Sequence, residues 1–270
     1  MGMAEEPMGV APERARQRGR GALAKPLVDF WFLFLGQAFE IRTRWFWFIF
    51  QMTFVPVSFL LFLWLLIGRD DPAAMLYVIT GNVTQGIAMS GMLSLGQEIG
   101  GMKDAQTFEF FASLPVSKLG FISAMLFRAT VFTIPASVLV FVVGSLFFDL
   151  SFQFHPLLLL LIPLGGLSLS GLGALVGFYS PNGKVAGLAT QVLNPIIVFL
   201  APVFIAREAL PPLLDTTSSF IPTTYLAEAL RDCVTGTVGP QTYLAILVLG
   251  GFAIVSLWLV AAKVDWRARD

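Results

Sequence analysis

FWFIFQMTFVPVSFLLFLWLLI, residues 46–67, runs for 22 residues without a charge. At 1.5 Å of rise per helical residue it reaches about 33 Å, enough to cross a hydrocarbon layer about 30 Å thick. The whole chain has the same character. Hydrophobic residues make up 56% and charged residues 13% of its 270 positions, with a mean hydropathy of +0.79, where soluble domains carry about 25% charged residues. Such a chain is expected to be mostly membrane span, without a large soluble domain. Its one cysteine, Cys233, cannot close an internal disulfide, and its one histidine, His155, cannot build a metal site. A formal net charge of zero points to no nucleic-acid partner.

Before this run, residues 1–26 hold Arg14, Arg16, Arg18, Arg20 and Lys25 and no apolar core of signal-peptide type, so they read as a basic tail. Residues 27–44 read as an amphipathic interfacial helix, with Asp29, Gly36, Gln37, Glu40 and Arg44 on one arc that only Leu33 interrupts. Beyond it, apolar segments at about 46–67, 73–95, 119–148, 157–178, 185–204 and 243–262 give six spans within residues 45–262. The third is long enough that it must tilt or project from the membrane. Residues 263–270 form a tail. The segment at about 207–240 is too polar to span and too apolar for a solvated loop, which predicts short re-entrant helices. The expected fold is therefore an all-α integral membrane protein: an interfacial helix, six transmembrane helices, and re-entrant helices before the last span.

Six spans place both termini on one side. Of the 17 Lys and Arg residues, all but Arg69, Arg207 and Arg231 then share that side, which assigns both termini to the cytoplasm. No phosphate-binding loop is present, since the one Gly-Lys pair, Gly183-Lys184, continues into Val185. Neither a metalloprotease nor a nucleophile-elbow motif occurs. The chain is expected to bind no cofactor itself, and any energy must come from a partner.

In the loop after the second span, Met102, Ala105, Phe108, Phe111 and Ala112 recur at helical spacing opposite Lys103, Gln106 and Thr107. One amphipathic helix over about 100–114 is expected there, ended by Pro115 and shaped to enter a groove on a cytosolic protein. In the later segment, Glu228 and Arg231 stand three apart on one helix face, a spacing that suits a local ion pair. Phe46, Trp47, Phe48 and Phe50 fit an interfacial aromatic belt. Arg128, inside the third apolar run, reads as a snorkelling side chain or as part of a cytosolic extension.

Gln106-Thr107-Phe108-Glu109 with Leu114-Pro115-Val116-Ser117, and Pro222-Thr223-Thr224-Tyr225 followed by Glu228 and Leu230-Arg231, resemble the type-2 family of ABC transporter permeases. The chain departs from that family at Gln106, where Gly is common, and at Ile205-Ala206, where Ser-Gly often follows the fifth span. The resemblance implies a coupling helix that meets an ATPase through Met102, Ala105, Thr107, Phe108, Glu109, Phe111 and Leu114. It further implies an extracellular gate formed by Pro222, Thr224, Tyr225, Glu228 and Arg231. A candidate substrate path takes in Phe50, Phe54, Met89, Asn194 and Phe199. Two copies of a cytosolic ABC ATPase would bind ATP and Mg, and a second copy of the permease would complete a homodimer in lipid, in the bacterial plasma (inner) membrane. The activity implied is export of a hydrophobic small molecule such as a drug or antibiotic, or of a lipid. Export of a lipid-linked polysaccharide of O-antigen or teichoic-acid type is the alternative. A scaffold or sensor without transport is a remote third reading, which the coupling-like loop disfavours.

Overall fold

The computed structural model describes residues 28–36, 46, 50, 54–63, 65, 71–113, 116–148 and 152–263. The basic tail, residues 37–45, both ends of the first span, Leu114 and residues 264–270 lie outside the described residues, as does the side chain of Glu109. Among the described residues the regular structure is helical throughout. The first long segment is α1, Phe54–Leu63. It is followed by α2 (Pro72–Ala88), a π-helical turn (Met89–Ser94) and α3 (Leu95–Asp104), which together form one unbroken rod. Asp71 starts the rod by accepting from Ala74 N at 2.9 Å, and Pro72 follows it in the first turn, where a missing N–H costs nothing.

A short helix, α4 (Thr107–Ser113), precedes α5 (Lys118–Phe148), α6 (Leu158–Tyr179) and α7 (Gly183–Phe199). Then come a 3-10 turn (Arg207–Ala209), α8 (Pro212–Ser218), α9 (Pro222–Thr235) and α10 (Pro240–Lys263). Lys118–Phe147 of α5, α6 and α10 are each long and apolar enough to cross a membrane, and α1 and α7 are shorter apolar helices. These helices make the chain a multi-pass membrane protein. At 31 residues, α5 is about 46 Å long, the excess length anticipated for the third span.

The structure corrects three local expectations. A single amphipathic helix over 100–114 does not form: the rod runs on to Asp104, and the chain then breaks at Ala105–Gln106, with Gln106 at φ +53°. A residue in that left-handed region ends an α-helix, so α4 sets off in a new direction. The fifth apolar segment is not helical through residue 204, because α7 stops at Phe199. Pro202 disfavours helical geometry at Ala201 and has no N–H to donate, so the chain leaves the helix there. The interfacial segment is helical over 28–36, but Asp29 and Leu33 of its arc meet protein rather than water. Asp29 accepts from Ser117 N at 2.7 Å, Leu33 packs on the Phe121 cluster, and Phe32 is 70% exposed.

The centre of the bundle is α6, which packs against α2, α3, α5, α9 and α10. Its glycines make this possible. A Cβ on Gly173 would stand 2.5 Å from Met92 O and 2.7 Å from Gly91 O, so the π-turn backbone lies directly on α6. Without hydrophobic drive between helices in lipid, close contact of this kind supplies the attraction. Gly173→Val should therefore fail to fold or should lose about 1–3 kcal/mol, read as a lower thermal midpoint in detergent. Gly250→Ala, with nothing within 4 Å of the added carbon, should leave the midpoint unchanged. Equal midpoints for the two variants would disprove this account of the core.

Candidate functional site

At the α3–α4 end, α4 turns its aromatic residues in two directions. Phe108 packs on Phe121 and Phe178, with ring centroids 6.1 and 5.4 Å away, and Phe111 lies 4.7 Å from Phe121. Both belong to the protein's own core, together with Met102. The sequence places them on a face awaiting a partner, because their helical spacing marks an apolar face without saying what covers it. The aromatic residue left outward is Phe110, 61% exposed, beside exposed Ala105, Gln106 and Ser113. Thr107 is half-buried. The outward face of the loop is thus Ala105, Gln106, Phe110 and Ser113, standing on a root of Phe108 and Phe111.

Above this loop, Arg128 forms an ion pair with Glu98 across α5 and α3. This carboxylate gives the cation in the apolar run its counter-charge. The two residues line a recess of about 50 Å³ with Ser90 and Ser94 of the π-turn.

At the other end, α9 is held at every level. Pro222 occupies its first turn and is buried. Thr223 Oγ1 donates to Ile197 O of α7. Thr224 Oγ1 donates to Ser218 O at 2.7 Å and Tyr225 OH to Ser219 O at 2.8 Å, both at the end of α8. Arg231 is 8% exposed. Its guanidinium donates to Pro202 O at 2.8 Å, to Val203 O, and to Thr80 Oγ1 at 3.3 Å, and it lies over the Tyr77 ring, 4.1 Å from the centroid. At the C-terminal end of α9, Cys233 O and Val234 O accept from His155 N and Gln153 N at 3.0 and 2.9 Å.

The Glu228–Arg231 ion pair expected from spacing is absent. Glu228 instead meets Arg207 at 3.5 Å, while Arg207 binds Asp215 more closely, at 2.5 Å, and Ser219 Oγ at 2.6 Å. Residues three apart share a face only approximately, and Arg231 is drawn inward by the carbonyls that α7 frees. Burial pushes the Glu228 carboxyl above its usual range, and Arg207 and Arg231 pull it partly back.

Along the expected path, Phe50 and Phe54 are ring neighbours at 5.3 Å and both exposed. Exposed Phe199 reaches α1 indirectly, through Phe204 at 6.1 Å to Phe59 at 5.4 Å. Met89 is half-buried in the π-turn. Asn194 is turned inward at 6% exposure, and its Nδ2 has no partner among the described residues.

Residues 73–262 match the family model described as ABC-2 family transporter protein. The chain belongs to the ABC-2 transporter family. No curated protein matches it. As an ABC-2 permease it is the membrane subunit of an ABC transporter, distinct from the ATPase with which it works. The matched region begins after α1 and takes in both the α4 face and the Arg231 site.

Two substitutions in α9 should separate the structural from the electrostatic roles. Arg231→Met leaves the Pro202 and Val203 carbonyls without their donor, at a cost of about 1–3 kcal/mol, so its thermal midpoint should fall. At Glu228 the raised folded pKa means that the folded state holds a proton more readily than the unfolded chain. Ionisation therefore costs stability once pH passes the ordinary carboxylate value. Glu228→Gln should match wild type near about pH 4 and exceed it toward about pH 7. A midpoint below wild type at the higher pH would show that the Arg207 contact outweighs desolvation.

Proposed function

We propose that the chain is the membrane half of an ATP-driven exporter that moves a hydrophobic small molecule or a lipid outward. Two permeases and two ATPases make the complete pump. Six spans cross the bacterial plasma membrane, both termini are cytoplasmic, and ATP and Mg stay on the ATPase. The supporting observation is the α4 face. A phenylalanine 61% exposed on a two-turn helix between long apolar helices has no use in water and suits a groove on a soluble partner. Residues 100–114 pass the partner's movement to the spans, α8 and α9 act as the outer gate, and the path runs between the exposed faces of α1 and α7. The apolar surfaces of Phe54 and Phe199 favour an apolar cargo. The aromatic ladder of Phe46, Phe50 and Phe54, with centroids 6.3 and 5.3 Å apart, favours a second reading, export of a lipid-linked polysaccharide whose sugars stack on the rings.

Affinity capture of the permease from native membranes should bring down an ABC ATPase. Phe110→Asp should lose the ATPase while keeping a wild-type thermal midpoint, whereas Phe108→Asp should lower the midpoint first, by about 3 kcal/mol or more in stability. Capture unaffected by Phe110→Asp would remove α4 as the docking helix. In whole cells with Cys233→Ser, an impermeant thiol reagent should label Thr216→Cys and spare Val10→Cys. The reverse pattern would invert the topology.

A further inference from the structure

The last two residues of α3 do something the docking face does not explain. Lys103 Nζ donates to Phe178 O at 2.7 Å and to Ser180 O at 2.5 Å, the free carbonyls at the C-terminal end of α6. Asp104 Oδ1 accepts from Gly183 N at 3.0 Å, in the first turn of α7. Adjacent residues of opposite charge thus ignore each other and take opposite helix ends, the cation on the carbonyl end and the anion on the amide end, as the helix dipoles favour. Lys263, at the end of α10, adds a second cation there, 5.2 Å from the centroid of the Tyr179 ring.

The backbones beneath this pair leave little room to slide. A Cβ on Gly100 would come 2.6 Å from Ala186 Cβ and 2.9 Å from Gly183 Cα, and one on Gly96 would come 2.5 Å from Thr190 Cγ2. Next to this fixed unit, α4 is joined to α3 through the break at Ala105–Gln106 and touches α6 through Phe108 and Phe178. At the far end of α7, the carbonyls of Pro202 and Val203 are held by Arg231.

We infer that Lys103 and Asp104 are the positioning pair of the transport cycle, tying the end of α3 to the turn between α6 and α7 so that displacement of α4 is carried along α7 to the Arg231 site. The inference rests on the exporter reading and on α4 as the docking helix. A continuous chain of contacts becomes a transmission route only when coupling is shown, so the test must read the far end while the near end is altered.

The reporter is Ile205→Cys in the Cys233→Ser background. Ile205 is 48% exposed and lies just beyond the held carbonyls. With the permease–ATPase complex in lipid nanodiscs, trapping with ATP and vanadate should change the maleimide labelling rate at residue 205 by about 5-fold or more. Lys103→Met and Asp104→Ala should each flatten that change while the ATPase stays bound and hydrolyses ATP, and Lys103→Arg and Asp104→Asn, which keep the donor and the acceptor, should preserve it. The double variant should be no worse than either single one. Wild-type behaviour of both Lys103→Met and Asp104→Ala would overturn the inference, and so would a labelling rate in the unaltered complex that nucleotide does not change. If the unaltered permease captures no ATPase, the exporter reading itself fails, an outcome separate from these.

Discussion

The structure depends on where a guanidinium finds its acceptors. Once α7 stops before Pro202, the carbonyls that follow have no helical partner, and inside a bundle of apolar helices such groups cost several kcal/mol. Arg231 answers two of them from another helix, and its flat face rests on Tyr77 of α2. A lysine ammonium would offer three rotating donors and no planar face, so the same geometry is not open to it. One side chain thereby fixes α9, the unwound stretch and α2 to each other, which is why α9 is buried although its sequence is half polar.

The remainder of the bundle follows from small residues. Gly165, Gly171, Gly173 and Gly177 let α6 meet α9, α10, the π-turn and α3 at distances that a Cβ would forbid. The buried hydroxyls of Thr80, Thr84, Thr130, Ser137 and Thr190 return to carbonyls of their own helices, so these helices meet largely without polar ties between them. The ties that do cross are concentrated at the two ends, where the chain also changes direction.

The fold class was legible because long charge-free runs have one economical solution in lipid, and the segment bearing Glu228 and Arg231 stood out by its intermediate polarity. The partners of polar residues were less legible. Spacing put Glu228 beside Arg231, but the pairing was decided by Arg207 and by carbonyls released at Pro202, which no local pattern records. Likewise the spacing sets Phe108 and Phe111 on one apolar face and leaves Phe110 off it, but only the direction of α4 decides which of them is left outside. That direction comes from Gln106, at φ +53°. The departure from the family's glycine at this position was a visible signal of a special backbone, since glycine enters that region without strain. The ion pair between Arg128 and Glu98 was not legible, because the sequence places Glu98 in the polar loop beyond the second span, and only the continuation of the rod through α3 brings it beside α5.

The π-helical turn at Met89–Ser94 sets the phase of the long rod. A π-turn accommodates one more residue than the α-helical ladder needs, so every residue beyond it is turned back by about 100° and lies about 1.5 Å short of its place in an uninterrupted helix. Thr80 and Tyr77 address Arg231 above the turn, and Gly96, Gly100, Lys103 and Asp104 address α6 and α7 below it. With that offset Tyr77, Gly96, Gly100 and Lys103 fall within about 60° on one side of the rod, where an uninterrupted helix would turn the later residues away from Tyr77. Removing a single residue anywhere in that turn would leave each set chemically intact and aim one of them at the wrong neighbour, so among homologous chains insertions and deletions here should be counted as changes of wiring, not of length.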